Sequence, residues 1–264
     1  MMVRTHRGEV NVLDSGEGYP VLLLHPLALS AELWRPLMES TEGLRLIGVD
    51  APGHGGTPWD GRPFTMQDMA DDAAAVLEAL EIDDAGMFAL SMGGSTAVVL
   101  AGTRPELFSS LVLSDTTACY GDDREAVWAE RAERAVAVPR KEQLTFQVDR
   151  WFSPRTVEEH PETFQRVCDV FTATDSEAHA AACRAMGGLD ARGLLAAITA
   201  PTLVMVGADD YATPEAMARE LHEGIEGARL EVLSGTRHLS VLDQPLAWQL
   251  AVEHFRTHAA AVSS

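Results

Sequence analysis

At 264 residues, with 46% hydrophobic and 23% charged side chains and a mean hydropathy of −0.02, the chain has the composition of a folded globular protein and the length of one large domain carrying an insertion. Forty acidic against twenty basic residues give a formal net charge of −20, which repels nucleic acid and anionic membranes, and no long lysine–arginine run overrides that repulsion. Three cysteines without metal-ligand spacing argue against a disulfide framework and a structural zinc, and the absence of an apolar leader or spanning run points to the cytoplasm.

The chain opens with alternating character over residues 3–14, broken at Gly8, which predicts an antiparallel hairpin at a sheet edge. Short β-rich runs at 21–24, 46–49, 87–90, 111–113, 203–206 and 230–233 then alternate with helical patterns, the signature of parallel strands joined by helices. Between residues 117 and 197 strand signals vanish and apolar residues recur at helical spacing, as in Trp128, Ala132 and Ala135 and again in Phe164, Val167 and Phe171. The expected organisation is therefore a core of residues 1–117 and 198–264 with a helical cap, residues 118–197, inserted over the strand ends.

The run 86–90 leads into Ser91-Met92-Gly93-Gly94 and a helical stretch over 96–103. Strand, sharp turn with serine at its apex, then helix is what a nucleophile elbow requires, because the strained turn lifts the hydroxyl above the sheet. Ala89 stands where the G-x-S-x-G pattern has its first glycine, the mildest departure available. A bare S-x-G-G is more often a plain turn, so the assignment demands a base and an acid later in the chain.

Both follow late strands. Asp210 lies in Gly207-Ala208-Asp209-Asp210 and His238 in Gly235-Thr236-Arg237-His238, where catalytic groups collect at the carboxyl ends of parallel strands. Asp209 and Asp115 are competing acids, with Asp210 preferred because it lies opposite the histidine loop. His160, His179, His222, His254 and His258 fall in helical or charged stretches and are expected at the surface. Two backbone donors are needed for an oxyanion: Met92, after the nucleophile, and Leu27 in His25-Pro26-Leu27. Pro26 lacks an N–H but leaves that of Leu27 available. His25 is expected to shape the pocket rather than to react.

These segments resemble the lidded α/β-hydrolases, and within them the 3-oxoadipate enol-lactonase group. Residues 50–57 resemble D-x-x-G-H-G-x-S with Thr57 for serine, 111–117 resemble L-V-L-x-D-T, Arg150-Trp151-Phe152 resembles the cap motif R-W-F, 201–214 resemble P-T-L-V-x-x-G-x-x-D-x-x-T-P, and His238-Leu239-Ser240 with Gln244-Pro245 resembles H-L-S followed by x-Q-P. The resemblance implies an α/β-hydrolase fold: a mostly parallel eight-stranded sheet flanked by helices, with the inserted cap. It implies a serine hydrolase that cleaves a small-molecule ester or lactone through Ser91, His238 and Asp210 without metal or organic cofactor; a homodimer is left open. A carboxylate on the substrate would call for an arginine in the pocket, for which Arg150, Arg131 and Arg184 are candidates beside a simple role in surface ion pairs. Trp151 is expected to line the pocket and Trp128 to sit in the cap core. The same apparatus serves C–C bond hydrolysis and cofactor-free perhydrolysis, and some plant relatives keep the fold as a ligand receptor.

Overall fold

The computed structural model describes residues 1–262. Its sheet runs in the order β1-β2-β4-β3-β5-β6-β7-β8, with β1 (Met2–Arg4), β2 (Glu9–Ser15), β3 (Tyr19–Leu24), β4 (Leu44–Val49), β5 (Ala85–Leu90), β6 (Phe108–Ser114), β7 (Thr202–Gly207) and β8 (Arg229–Leu233). β1 and β2 form the expected antiparallel hairpin, and β2 joins β4 antiparallel. Every later neighbouring pair is parallel. All six positions of β5 and of β7 are buried, as unbroken apolar runs require when helices cover both faces of a sheet.

One face is covered by α2 (Met66–Ala79), α3 (Met92–Thr103) and α9 (Glu215–Gly224). The other is covered by a 3-10 turn (Ala31–Trp34), α1 (Arg35–Ser40), α10 (Ser240–Asp243) and α11 (Pro245–Val262). On that second face Phe88 lies edge-on between Trp34 and Trp248, with ring centroids 5.5 and 5.4 Å away. Such edge-to-face contacts order a core beyond the area they bury.

Chain order turns back on itself between β3 and β5, so the carboxyl ends of these two strands lie side by side, Leu24 opposite Ala89. A crevice opens at such a reversal. The loop after β3 and the turn after β5, which are 66 residues apart in sequence, Met92 less Pro26, therefore share one edge of the sheet.

Between β6 and β7 come five helices: α4 (Arg124–Ala137), α5 (Arg140–Trp151), α6 (Pro154–Glu159), α7 (Pro161–Ala173) and α8 (Ser176–Gly187). The periodic residues point inward as expected, with Trp128, Ala132 and Ala135 buried on α4 and Val167, Cys168 and Phe171 on α7. Alanines at 178, 180, 181, 182 and 185 give α8 a smooth surface along which α4 packs closely. Among the described residues no helix is long and apolar enough to cross a membrane.

Candidate active site

The turn after β5 holds Ser91 at φ 56°, ψ −117°, a left-handed conformation costly for a residue with a side chain. Neighbours keep it there. The Ser91 N–H donates to Ser114 O at 3.0 Å, and Thr116 Oγ1 donates to Ser91 O at 2.6 Å. A Cβ on Gly93 would come within 2.3 Å of Leu24 O, so only glycine lets α3 start this close to β3. The methyl of Ala89 is accommodated, fully buried in β5. The helix itself begins at Met92, four residues earlier than the apolar pattern suggested.

Across the crevice, His238 Nε2 accepts from Ser91 Oγ at 2.8 Å and His238 Nδ1 donates to Asp210 Oδ2 at 2.8 Å. The three residues are 5, 8 and 4% exposed for Ser91, His238 and Asp210. Asp210 also accepts from the N–H groups of Ala212 (2.7 Å) and Thr213 (3.1 Å) and from Thr213 Oγ1 (2.8 Å). Burial works against the Asp210 charge, but the imidazole and these donors outweigh it and hold the carboxyl below its usual range. For His238 burial alone would lower the pKa; the Asp210 charge and hydrogen bond reverse that and raise it. The histidine loop reaches this position because Gly207 has no side chain: a Cβ there would meet Arg237 O at 2.5 Å.

Asp115, the rival acid, makes no bond to the imidazole. It accepts from Gly207 N (2.9 Å), Ser114 Oγ (2.9 Å) and Ser240 Oγ (2.5 Å), joining β6, β7 and α10. Burial, reinforced by the nearby Asp210 charge, pushes its pKa up to about 7. Asp209 is exposed and directs its N–H to Thr236 O.

Next to Ser91 stand the two amides expected to face an oxyanion. Met92 opens α3, so its N–H has no carbonyl one turn back. The Leu27 N–H makes no hydrogen bond among the described residues. Ala28 follows at φ 59°, and its N–H donates to His54 Nε2 at 3.2 Å while His54 Nδ1 donates to Pro52 O, so that histidine buttresses the strained loop. His25 is structural rather than reactive, but it does not reach the pocket where it is expected. Its Nδ1 donates to Pro26 O and its Nε2 accepts from Ala51 N, which consumes both nitrogens in bracing the backbone, and it lies outside the cavity around Ser91.

That inner cavity, about 40 Å³, is bounded by Ser91, Leu27, His238 and residues of the inserted helices, and it adjoins an outer one of about 370 Å³ sharing Tyr120, Trp128, Arg131, Gln147, Arg150 and His179. Trp151 lines the inner cavity. Trp128 lines it as well while packing in the hydrophobic core that helical spacing predicts, and its ring carries the Arg131 guanidinium at 4.1 Å. Arg150 lies 4.1 Å from the Phe146 ring and 5.4 Å from that of Tyr211. Neither arginine makes an ion pair among the described residues, whereas surface arginines do, as Arg45 with Asp14 at 2.7 Å and Arg192 with Asp190 at 2.6 Å. Arg184 is exposed and lines neither cavity.

Two histidines expected at the surface are buried: His254, whose Nε2 lies 3.0 Å from Pro201 O, and His179, in the cavity wall. Periodicity missed His179, His54 and Tyr120. Thr213 was legible in the T-P of the D-x-x-T-P segment.

Comparison with known proteins fits this geometry. The family described as alpha/beta hydrolase fold matches residues 19–146. A 3-oxoadipate enol-lactonase from Acinetobacter baylyi is 32% identical over 212 residues, covering 79% of this chain and 77% of that protein. The crystal structure of the enol-lactonase from Burkholderia xenovorans LB400 superposes with a TM-score of 0.90 at 28% identity, over 97% of this chain and 100% of that one. A thermophilic esterase from Thermogutta terrifontis, solved with malate bound, superposes with a TM-score of 0.88 at 26% identity over 98% of each chain. With its elbow, its parallel sheet and these relatives, the chain is an enzyme of the α/β-hydrolase family.

Proposed function

We propose that the protein hydrolyses a carboxylate-bearing ester or lactone, with Ser91 as nucleophile, His238 as base and acid, Asp210 as the orienting carboxylate and residues 118–197 as a cap. The observation that carries this is the unbroken chain from Ser91 Oγ through His238 to Asp210, each link 2.8 Å. A neutral imidazole with its proton held on Nδ1 by Asp210 leaves Nε2 free to take the serine proton.

The steps follow from that tautomer. Ser91 Oγ attacks the carbonyl carbon as its proton passes to His238 Nε2, and the oxyanion is met by the N–H groups of Leu27 and Met92 at the positive end of α3. His238 then protonates the leaving oxygen, the C–O bond breaks and an acyl-serine remains; in a lactone the leaving oxygen stays tethered as the ring opens. Water gives its proton to His238 and attacks the acyl carbon, and Ser91 Oγ leaves with that proton restored.

Substrate charge is inferred from Arg131 and Arg150. In a chain of net charge −20, two cavity arginines without acidic partners offer a local positive field to an anionic ligand. The enol-lactonase relatives and the malate-bound esterase support the same class. The reacting carbonyl occupies the small inner cavity and the remainder of the molecule the outer one.

Turnover of the para-nitrophenyl monoester of glutaric acid against para-nitrophenyl valerate tests this reading. The wild type should prefer the acid, and Arg131→Met should raise KM for the acid about tenfold or more while affecting the neutral ester less. Equal KM changes for both esters would remove the carboxylate from the proposal, and activity that survives Ser91→Ala would remove the mechanism.

A further inference from the structure

His179 has no part in the triad, yet it lines both cavities while only 3% exposed. Its partner is Arg140, at the start of α5, whose Nη1 lies 2.6 Å from His179 Nδ1. A guanidinium has donors only and stays protonated, so Nδ1 must accept, and the single proton of the neutral ring must sit on Nε2.

The pair is held rigidly. Arg140 Nε donates to Phe171 O at 3.1 Å, its Nη2 donates to the same oxygen, and the guanidinium lies 3.7 Å from the Phe171 ring centroid. That ring also meets the imidazole edge-on at 6.0 Å. Protonation of His179 is opposed first by burial and then by Arg140, His54 and Arg131, which face it from α5, the loop after β4 and α4, and its pKa falls well below the ordinary value.

His25 and His54 bind backbone through both ring nitrogens. His179 uses one. Its Nε2–H has no acceptor among the described residues and is not sealed off from open space. The space that His179 lines is the catalytic cavity, beside Arg131.

We propose that His179 Nε2–H is a substrate-binding donor, taking an acceptor oxygen on the acyl portion beyond the scissile carbonyl, and that Arg140 is a positioning residue that dictates its tautomer. The substrate is then an ester or lactone whose acyl chain carries a second oxygen function, a carboxylate. This rests on the hydrolase reading for its substrate but not for its tautomer.

Two measurements test it. Nitrogen-15 NMR of histidine-labelled protein should show His179 as the neutral Nε2–H form at and above the ordinary histidine midpoint, and Arg140→Leu should release it to a mixture of the two neutral tautomers. An Nδ1–H tautomer in the wild type, or unchanged behaviour in Arg140→Leu, overturns the proposal whether or not the protein is a hydrolase. In kinetics, His179→Leu should raise KM for the glutaric monoester relative to the valerate ester by about tenfold, and His179→Gln, whose side-chain N–H reaches the Nε2 position, should recover most of that. Equal effects of Leu and Gln in variants that melt like the wild type overturn it too. Activity independent of Ser91 marks instead the failure of the hydrolase reading.

Discussion

The His238 N–H donates to the carbonyl oxygen of Arg150 at 3.2 Å, tying the loop that carries the imidazole directly to the inserted helices. The next amide, Leu239, repeats the contact with Trp151 O at 3.0 Å. Beneath both, the buried Asp243 carboxylate accepts from Arg237 N (2.8 Å), Ser153 N (3.0 Å) and Ser153 Oγ (2.9 Å), and also from Thr156 Oγ1. One carboxylate thus holds the histidine loop and the start of α6 in register.

Asp243→Ala would strand those buried donors. The expected result is a stability loss of about 2–5 kcal/mol by denaturant titration, and a fall in kcat larger than any rise in KM as the imidazole loses its register. Wild-type kcat in a folded Asp243→Ala protein would separate this cluster from the chemistry.

Asp210→Asn keeps the shape of the site but removes the charge that fixes the imidazole tautomer, and kcat should fall about 10⁴-fold. The pH profile carries the sign. Because His238 must be neutral to accept the serine proton, kcat/KM should rise with pH through a midpoint above the ordinary histidine value, where the Asp210 carboxylate has raised it. In Asp210→Asn the residual activity should titrate at a lower midpoint than in the wild type. An unshifted midpoint would mean that the titrating base is not the Asp210-bound imidazole.

Asp115→Asn should behave differently. Asparagine tolerates the positive φ of 47° at this position. It offers one acceptor oxygen where the carboxyl offered two, so melting should shift downward while kcat stays within about tenfold of wild type, since no bond to His238 is lost. A loss comparable to that of Asp210→Asn would exchange the roles of the two acids.

At the elbow, Gly93→Ala should nearly abolish turnover, because its Cβ meets Leu24 O at 2.3 Å and either α3 or the Leu24 backbone must move. Ala89→Gly should change kcat only modestly, because the Ala89 methyl is buried in β5 while Ser91 Oγ lies 2.8 Å from His238 Nε2. A gain of several orders of magnitude in Ala89→Gly would show that the methyl distorts the turn.

Legibility in the sequence followed the range of the interaction. The six parallel strands, the hairpin and the elbow are local patterns, and each of the six parallel strands extends its expected run by one to four residues because backbone pairing, not side-chain hydropathy, sets its ends. Asp210 and His238 were findable because each follows a strand at a fixed offset. Arg140 and His179 are 39 residues apart, and Ser153 and Asp243 are 90, so no periodicity connects them. His179 reads as one polar residue among alanines of α8, a pattern equally suited to an exposed face. Trp128 shows the same boundary from the other side: spacing identifies the inward face of α4 but not whether a neighbour or a cavity meets it. His25 was placed in the pocket by its adjacency to Leu27, whereas successive residues of a tight turn point in different directions.

Whether His238 makes Ser91 a nucleophile is read from the intact mass of the protein after reaction with a fluorophosphonate. A single covalent adduct is expected on the wild type, absent from folded Ser91→Ala and formed far more slowly in His238→Ala. No adduct on the folded wild type, or one that persists in Ser91→Ala, would contradict that assignment.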